Sequence, residues 1–154
     1  MQFSTRRSVG KRILLTGLIA GTLDILDALI FFGLRFHVAP VRLLQNIAGH
    51  LIGRVAFAEG VPAALLGLAL HYLIATIWAA IFILAARRLP VLARQAIVSG
   101  ILYGLFVYLV MNYVVLPHTL LYAHPSHDPI VLLNAVLALI LFIGLPISLL
   151  NRNA

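Results

Sequence analysis

The chain has 154 residues, of which 63% are hydrophobic and 10% charged, with no cysteine and a formal charge of +7. A mean hydropathy of +1.10 excludes an ordinary soluble domain, and the absence of thiols excludes disulfides, thiolate metal sites and thiol redox chemistry. The basic residues flank apolar segments instead of forming one patch, which is a pattern of membrane topology and not of nucleic-acid binding.

A membrane span needs about 20 apolar residues, so this length accommodates roughly four spans with short connections. The expected fold is an all-α membrane protein, a single domain over residues 1–154 built as a four-helix transmembrane bundle. The spans fall at about 13–35, 61–86, 91–116 and 130–150, and one amphipathic interfacial helix at about 40–58 lies between the first two. Arg6, Arg7, Lys11 and Arg12 ahead of the first apolar run resemble the start of a secretory signal or a loose twin-arginine motif. A cleaved signal has a short apolar core, whereas this run continues for about 20 residues through two aspartates, so it reads as a retained first span.

The first span carries Gly17, Gly21, Asp24 and Ala28 at steps of three or four, a stripe of small and polar groups. Gly17 and Gly21 form a GxxxG pair, which allows close helix approach. Asp24 and Asp27 are two of only four acidic residues, and their spacing puts both on one helix face that must turn away from lipid.

Residues 40–58 read differently. Arg42, Gln45, Asn46, Gly49, His50, Gly53 and Arg54 fall on one side, with Leu44, Ile47, Ala48, Leu51, Ile52 and Val55 on the other. Pro40 suits the start of a helix lying in the interface or packed over the bundle mouth. A full span here would bury two arginines and a histidine at high cost.

In the second span Ala64, Gly67, His71, Ala75 and Ala79 share a face, small residues around one polar group. The third has Ala96, Gly100, Gly104, Tyr108 and Asn112 at four-residue steps, with a second GxxxG pair in Gly100 and Gly104. The fourth holds Asn134 near its start, and Gly144 with Pro146 predicts a kink near its far end. Asp24, Asp27, His71, Asn112 and Asn134 together form the expected intramembrane polar cluster. A rise of ~1.5 Å per residue places Asp27 and His71 at matching depth, where they would meet, with His50, Arg54 and Glu59 at the outer mouth. Such a cluster either binds and relays protons or joins helices as satisfied hydrogen-bonding groups.

Between the third and fourth spans, His118, His124, His127 and Asp128 are ligand types suited to zinc, copper or nickel, although their spacing matches no specific metal motif. The same residues suit an ordinary solvated loop. Haem would need His71 paired with His50 or a loop histidine. No HExxH, GxSxG, P-loop or dinucleotide fingerprint occurs, so no enzyme activity is expected. Tyr103, Tyr108, Tyr113 and Trp78 read as packing and interface residues.

The segments GLIAGTLDILDALIFFGLR, PVRLLQNIAGHLIGR, HYLIATIWAAIFILAARRLP and GILYGLFVYLVMNYVVLP, over residues 13–117, resemble a group of uncharacterised small four-span bacterial inner-membrane proteins. A more distant similarity is to YagU-type inner-membrane proteins associated with acid resistance. These resemblances imply a multi-pass bacterial inner-membrane protein and carry over no site residues. Lysine and arginine flank the start of span one, the link between spans two and three and the end of the chain, which predicts both termini in the cytoplasm. The expected function is a proton- or cation-responsive module using the Asp/His cluster. Its rivals are an accessory subunit whose GxxxG faces recruit a larger membrane partner, and an outer-face metal or haem protein. Besides the bilayer, a homodimer is the simplest partner, because four short spans enclose little space.

Overall fold

The computed structural model of the protein describes residues 8–122 and 125–152, and among them it is helical without strands. Helix α1 (Val9–Phe36) starts at Ser8, whose hydroxyl accepts the Lys11 N–H. It ends at His37, which takes the left-handed φ of 53° while its N–H and that of Val38 return to the carbonyls of Gly33 and Phe32. This closing motif satisfies the last carbonyls of the span and turns the chain into α2 (Pro40–Ile52). The helix expected to reach residue 58 stops at Ile52, because Gly53 adopts φ 74° and the chain continues as 3-10 turns over Gly53–Phe57. Gly60, at φ 61°, then opens α3 (Gly60–Arg88). Both glycines hold angles that strain any residue with a Cβ.

The span expected from residue 91 begins later. Val91–Arg94 is a separate short helix, α4, and Gln95 leaves helical geometry before α5 (Ala96–Val110). The basic and polar residues here stay at the end of the bundle that carries the termini, and the membrane-crossing segment proper starts at Ala96. Past α5 the chain widens into a π-helix over Met111–Val115 and tightens into a 3-10 turn at Leu116–His118. The last span comprises α6 (Pro129–Ala138), a π-helix at Leu139–Gly144 and α7 (Leu145–Leu150). Each π segment contains the residue four before a proline, Tyr113 before Pro117 and Phe142 before Pro146. A proline ring crowds that carbonyl and supplies no N–H to it, so the helix widens ahead of the ring. The kink expected at Gly144 and Pro146 takes this form.

Four helical segments, Val9–Phe36, Gly60–Arg88, Ala96–His118 and Pro129–Leu150, are long and apolar enough to cross a membrane. With Leu14, Ile30, Leu65, Leu102 and Leu133 exposed along them, this is the fold of a multi-pass helical membrane protein. Small residues set the contacts. A Cβ on Gly17 would lie 2.6 Å from the Thr76 backbone, and one on Gly21 would meet Ala75 and Tyr72 at 3.0 Å, so α1 seats directly on α3. Gly104 seats on Leu139 and Ile140 and Gly100 on Gly144 and Leu145, where Gly144 in turn abuts the backbone of both. Both GxxxG faces are thus packed inside the bundle. Between the two pairs lies a core of Ala20, Ala79, Phe82, Val107 and Ile147, all nearly inaccessible.

Helix α2 lies against the start of α3 through Gly67, on which a Cβ would collide with the Leu44 carbonyl. The side of α2 that this buries carries Gln45, Ala48 and Gly49, mixing residues that the sequence pattern divides between opposite faces. Gln45 is satisfied there by donating from Nε2 to the Gly60 carbonyl at 3.0 Å. Contact with a neighbouring helix, and not an apolar face turned to lipid, decides its rotation.

Gly67→Ala should therefore lower the thermal midpoint in detergent, at a cost of ~1–3 kcal/mol for overpacking against backbone. Gly10→Ala, where no described residue lies within 4 Å of an added Cβ, should leave the midpoint unchanged or raise it slightly. Equal effects from the two substitutions would show that α2 is not held by this contact.

Candidate functional site

At the end of the bundle away from the termini, α2 roofs two adjoining cavities of about 410 and 520 Å³. Asp24 of α1, His71 of α3 and Asn46 and Ile47 of α2 line both. The larger runs towards Ala28, Phe32 and Arg42, and the smaller towards Trp78, Met111 and Ile143. Both π segments contribute to the smaller cavity, Met111 and Val115 from one and Leu139 and Ile143 from the other. Widened helical turns of this kind recur at functional sites.

Asp24 lies within electrostatic range of His71 and of Asp27. His71 accordingly neighbours Asp24, one turn from the Asp27 contact that matching depths suggest. Depth along a helix axis says nothing about rotation around it, and rotation turns Asp27 towards the fourth span, where its Oδ2 accepts from Asn134 Nδ2 at 3.1 Å. The His71 ring is anchored by Nε2, 2.7 Å from the Gly21 carbonyl. A carbonyl only accepts, so Nε2 carries the hydrogen and Nδ1 is the position that a second proton must take. Asn112 stays outside the cluster, donating to the carbonyl of Tyr108 one turn back on its own helix.

His50 lines the smaller cavity and a hollow on the outer surface that it shares with Arg42, Asn46 and Arg54. Its Nδ1 is 2.7 Å from Thr119 Oγ1, whose own hydrogen goes to the Leu116 carbonyl at 2.7 Å. Nδ1 of His50 is therefore the donor and its Nε2 is bare. The Leu120 N–H adds a backbone bond to the His50 carbonyl at 3.2 Å, so the segment after the third span clasps the end of α2. Burial holds the His50 imidazole below its ordinary pKa near 6.5. The Arg42 guanidinium sits 4.1 Å from the Phe57 ring centroid, and Arg54 and Glu59 are exposed, Glu59 at the N-terminal end of α3.

The described residues of the histidine loop do not converge on one site. Asp128 caps α6 by accepting the Ile130 N–H at 2.8 Å and faces Arg35 at 3.7 Å, while His118 Nδ1 donates to the Val114 carbonyl at 2.6 Å. His127 is exposed, and His124 lies outside the described residues. Among the described residues no three His, Cys, Asp or Glu side chains are placed to hold a metal ion. For haem, His71 keeps only Nδ1 uncommitted and His50 only Nε2.

Several groups that carry the site have no sequence signal. Thr119 positions His50, and Trp78, expected as a packing residue, also forms a cavity wall. At the opposite end Asn151, 2% exposed, accepts from Arg12 at 3.1 Å and donates to the Ile147 carbonyl at 2.7 Å, which pins the chain's last helix to its first. Each of these depends on which helices become neighbours, and no periodicity within one segment encodes that. Comparison with protein-family models, with curated proteins and with solved structures returns no match.

The His50 contact sets a pH dependence. With its pKa lowered in the folded state, the unfolded or undocked segment takes the proton first, so the contribution of this contact is complete above pH 6.5 and falls as pH drops below it. Hydrogen exchange at Leu120, corrected for intrinsic rate, should be faster at about pH 5 than at about pH 7.5. His50→Gln should remove that difference, and its persistence in the variant would assign it elsewhere.

Proposed function

We propose that this chain is a non-enzymatic module of a bacterial inner membrane that takes up a proton or cation at Asp24 and His71 and responds to it through the packing of α2. Its termini lie in the cytoplasm, because every lysine and arginine except Arg35, Arg42 and Arg54 flanks the end of the bundle that carries them. One observation carries the functional reading. A carboxylate and an imidazole with one uncommitted nitrogen share the walls of a half-open cavity between spans, where a merely structural pair would close upon itself. Asp27 provides the contrast, since its carboxylate is tied directly to Asn134.

The charged and titratable groups around Asp24 define how it would work. Asp27 lies on the same helix, His71 faces it from α3, and His50 and Arg42 look into the adjoining cavities from α2. Adding a proton to Nδ1 of His71 creates a cation beside the Asp24 carboxylate in a medium of low dielectric, where the attraction is several-fold stronger than in water. The carbonyl of Gly21 holds the ring in place during that change. Asn46 and Ile47 of α2 line both cavities, so a shift in the pair is transmitted to the roof.

Reconstituted into vesicles and followed by pH-difference infrared spectroscopy, the protein should show carboxyl and imidazole bands that Asp24→Asn abolishes. Asp27→Asn should keep most of the signal and lose stability, by about 1 kcal/mol for one interhelical hydrogen bond. A difference spectrum unchanged in Asp24→Asn would refute the assignment.

A further inference from the structure

We propose that the cavity between α2, α3 and the two π segments binds a hydrophobic organic ammonium ion, with its nitrogen at Asp24 and its apolar body against Trp78. The proposal rests on Asp24 being an ionisable cation site, and it adds the class of ligand. Four observations carry it.

First, charge. Among the described residues Asp24 is the one carboxylate on the walls of the 410 Å³ cavity, and no lysine or arginine lines it. Arg54 lines only the outer hollow, and Arg42 lines that hollow and the adjoining larger cavity, so among the described residues no fixed cation stands on the walls of this cavity to favour an anionic ligand. Burial also keeps His50, at the same wall, towards its uncharged form.

Second, lining and size. Beyond the polar wall of Asp24, His71 and Asn46, the cavity is bounded by Leu70, Ile74, Trp78, Met111 and Ile143. An apolar chamber with a few convergent polar groups, within the ~300–1,000 Å³ usual for small-molecule pockets, suits a ligand that is itself mostly hydrocarbon.

Third, the donor set. A calcium ion takes about six to eight oxygen ligands and magnesium a near-octahedral shell, both replacing water with oxygen. Among the described residues the side-chain oxygens here are those of Asp24, Asn46 and Thr119, and Thr119 is already bonded to His50. An inorganic divalent ion would lose its hydration without replacement. An ammonium that carries its own apolar body has only its N–H groups to satisfy, and a carboxylate with an amide beside it can accept them.

Fourth, the indole of Trp78 supplies an aromatic surface in the same cavity, favourable to an aromatic body or to the cation. The π segments make the space, because both contribute their widened turns to this cavity.

Trp78 is the sole tryptophan, so its emission reports occupancy directly. The full-length protein in nanodiscs should be titrated with phenethylammonium and, separately, with phenethyl alcohol, which matches its shape without the charge. The expected result is a saturable change in Trp78 emission at least about tenfold tighter for the ammonium, with the preference abolished in Asp24→Asn and retained in Asp27→Asn. Leu70→Phe, which fills the cavity from a partly accessible wall position, should weaken the ammonium about tenfold while the protein stays folded. Equal binding of the alcohol, a preference that survives Asp24→Asn, or no saturable change would each overturn the proposal. If the infrared bands of Asp24 remain in that case, the proton site stands without the ammonium ligand, and loss of both would remove the site itself.

Discussion

Apolar helices in a bilayer gain almost nothing from hydrophobic burial against one another, since lipid chains are as apolar as leucine. Close backbone approach and interhelical hydrogen bonds must hold them. This chain supplies the first with Gly17 and Gly21 on α3, Gly67 under α2, and Gly100, Gly104 and Gly144 in mutual contact. It supplies the second with Tyr103 donating to the Trp78 carbonyl at 2.6 Å, Ser148 to that of Ala96 at 2.7 Å and Asn134 to Asp27 at 3.1 Å. The polar side chains within the spans are placed by that requirement, because hydrocarbon offers them no other partner.

Against that background Asp24 stands apart. Asp27 answers Asn134, whereas Asp24 borders open space with His71, and the His71 ring is held by a backbone carbonyl instead of by the carboxylate. The cavity follows from the local chemistry of the helices around it. Pro117 and Pro146 widen the turns ahead of them, and those turns bring Met111, Val115, Leu139 and Ile143 to its walls. Gly53 stops α2 short, which lets the chain double back so that α2 remains a roof.

The roof is where local pattern and tertiary contact disagree most. A helical wheel of residues 40–55 separates Gln45 and Gly49 from Ala48, yet all three are buried together against neighbouring elements. An amphipathic helix at an interface has two ways to satisfy its apolar side, lipid or protein, and amphipathicity alone does not choose between them. Gly67 does, because the absence of a side chain there admits the Leu44 carbonyl. The other side of α2 then turns Asn46 and His50 towards the cavities.

By itself the sequence determined that the chain crosses a membrane with four helices, that the segment from about 40 to 58 is of a different kind, that Gly17, Gly21, Gly100 and Gly104 face other helices, and that Asp24 and His71 belong to the interior. These follow from length, hydropathy and the 3.6-residue period, which act within one segment. Only the tertiary structure decided that His71 neighbours Asp24 and Asp27 meets Asn134, that Asn112 bonds to its own helix, that Asp128 is a cap, and that Trp78 is a cavity wall. Those pairings depend on the rotation and neighbour order of whole helices. Contacts between residues as far apart as Asp27 and Asn134 set that order, and no window of sequence contains both.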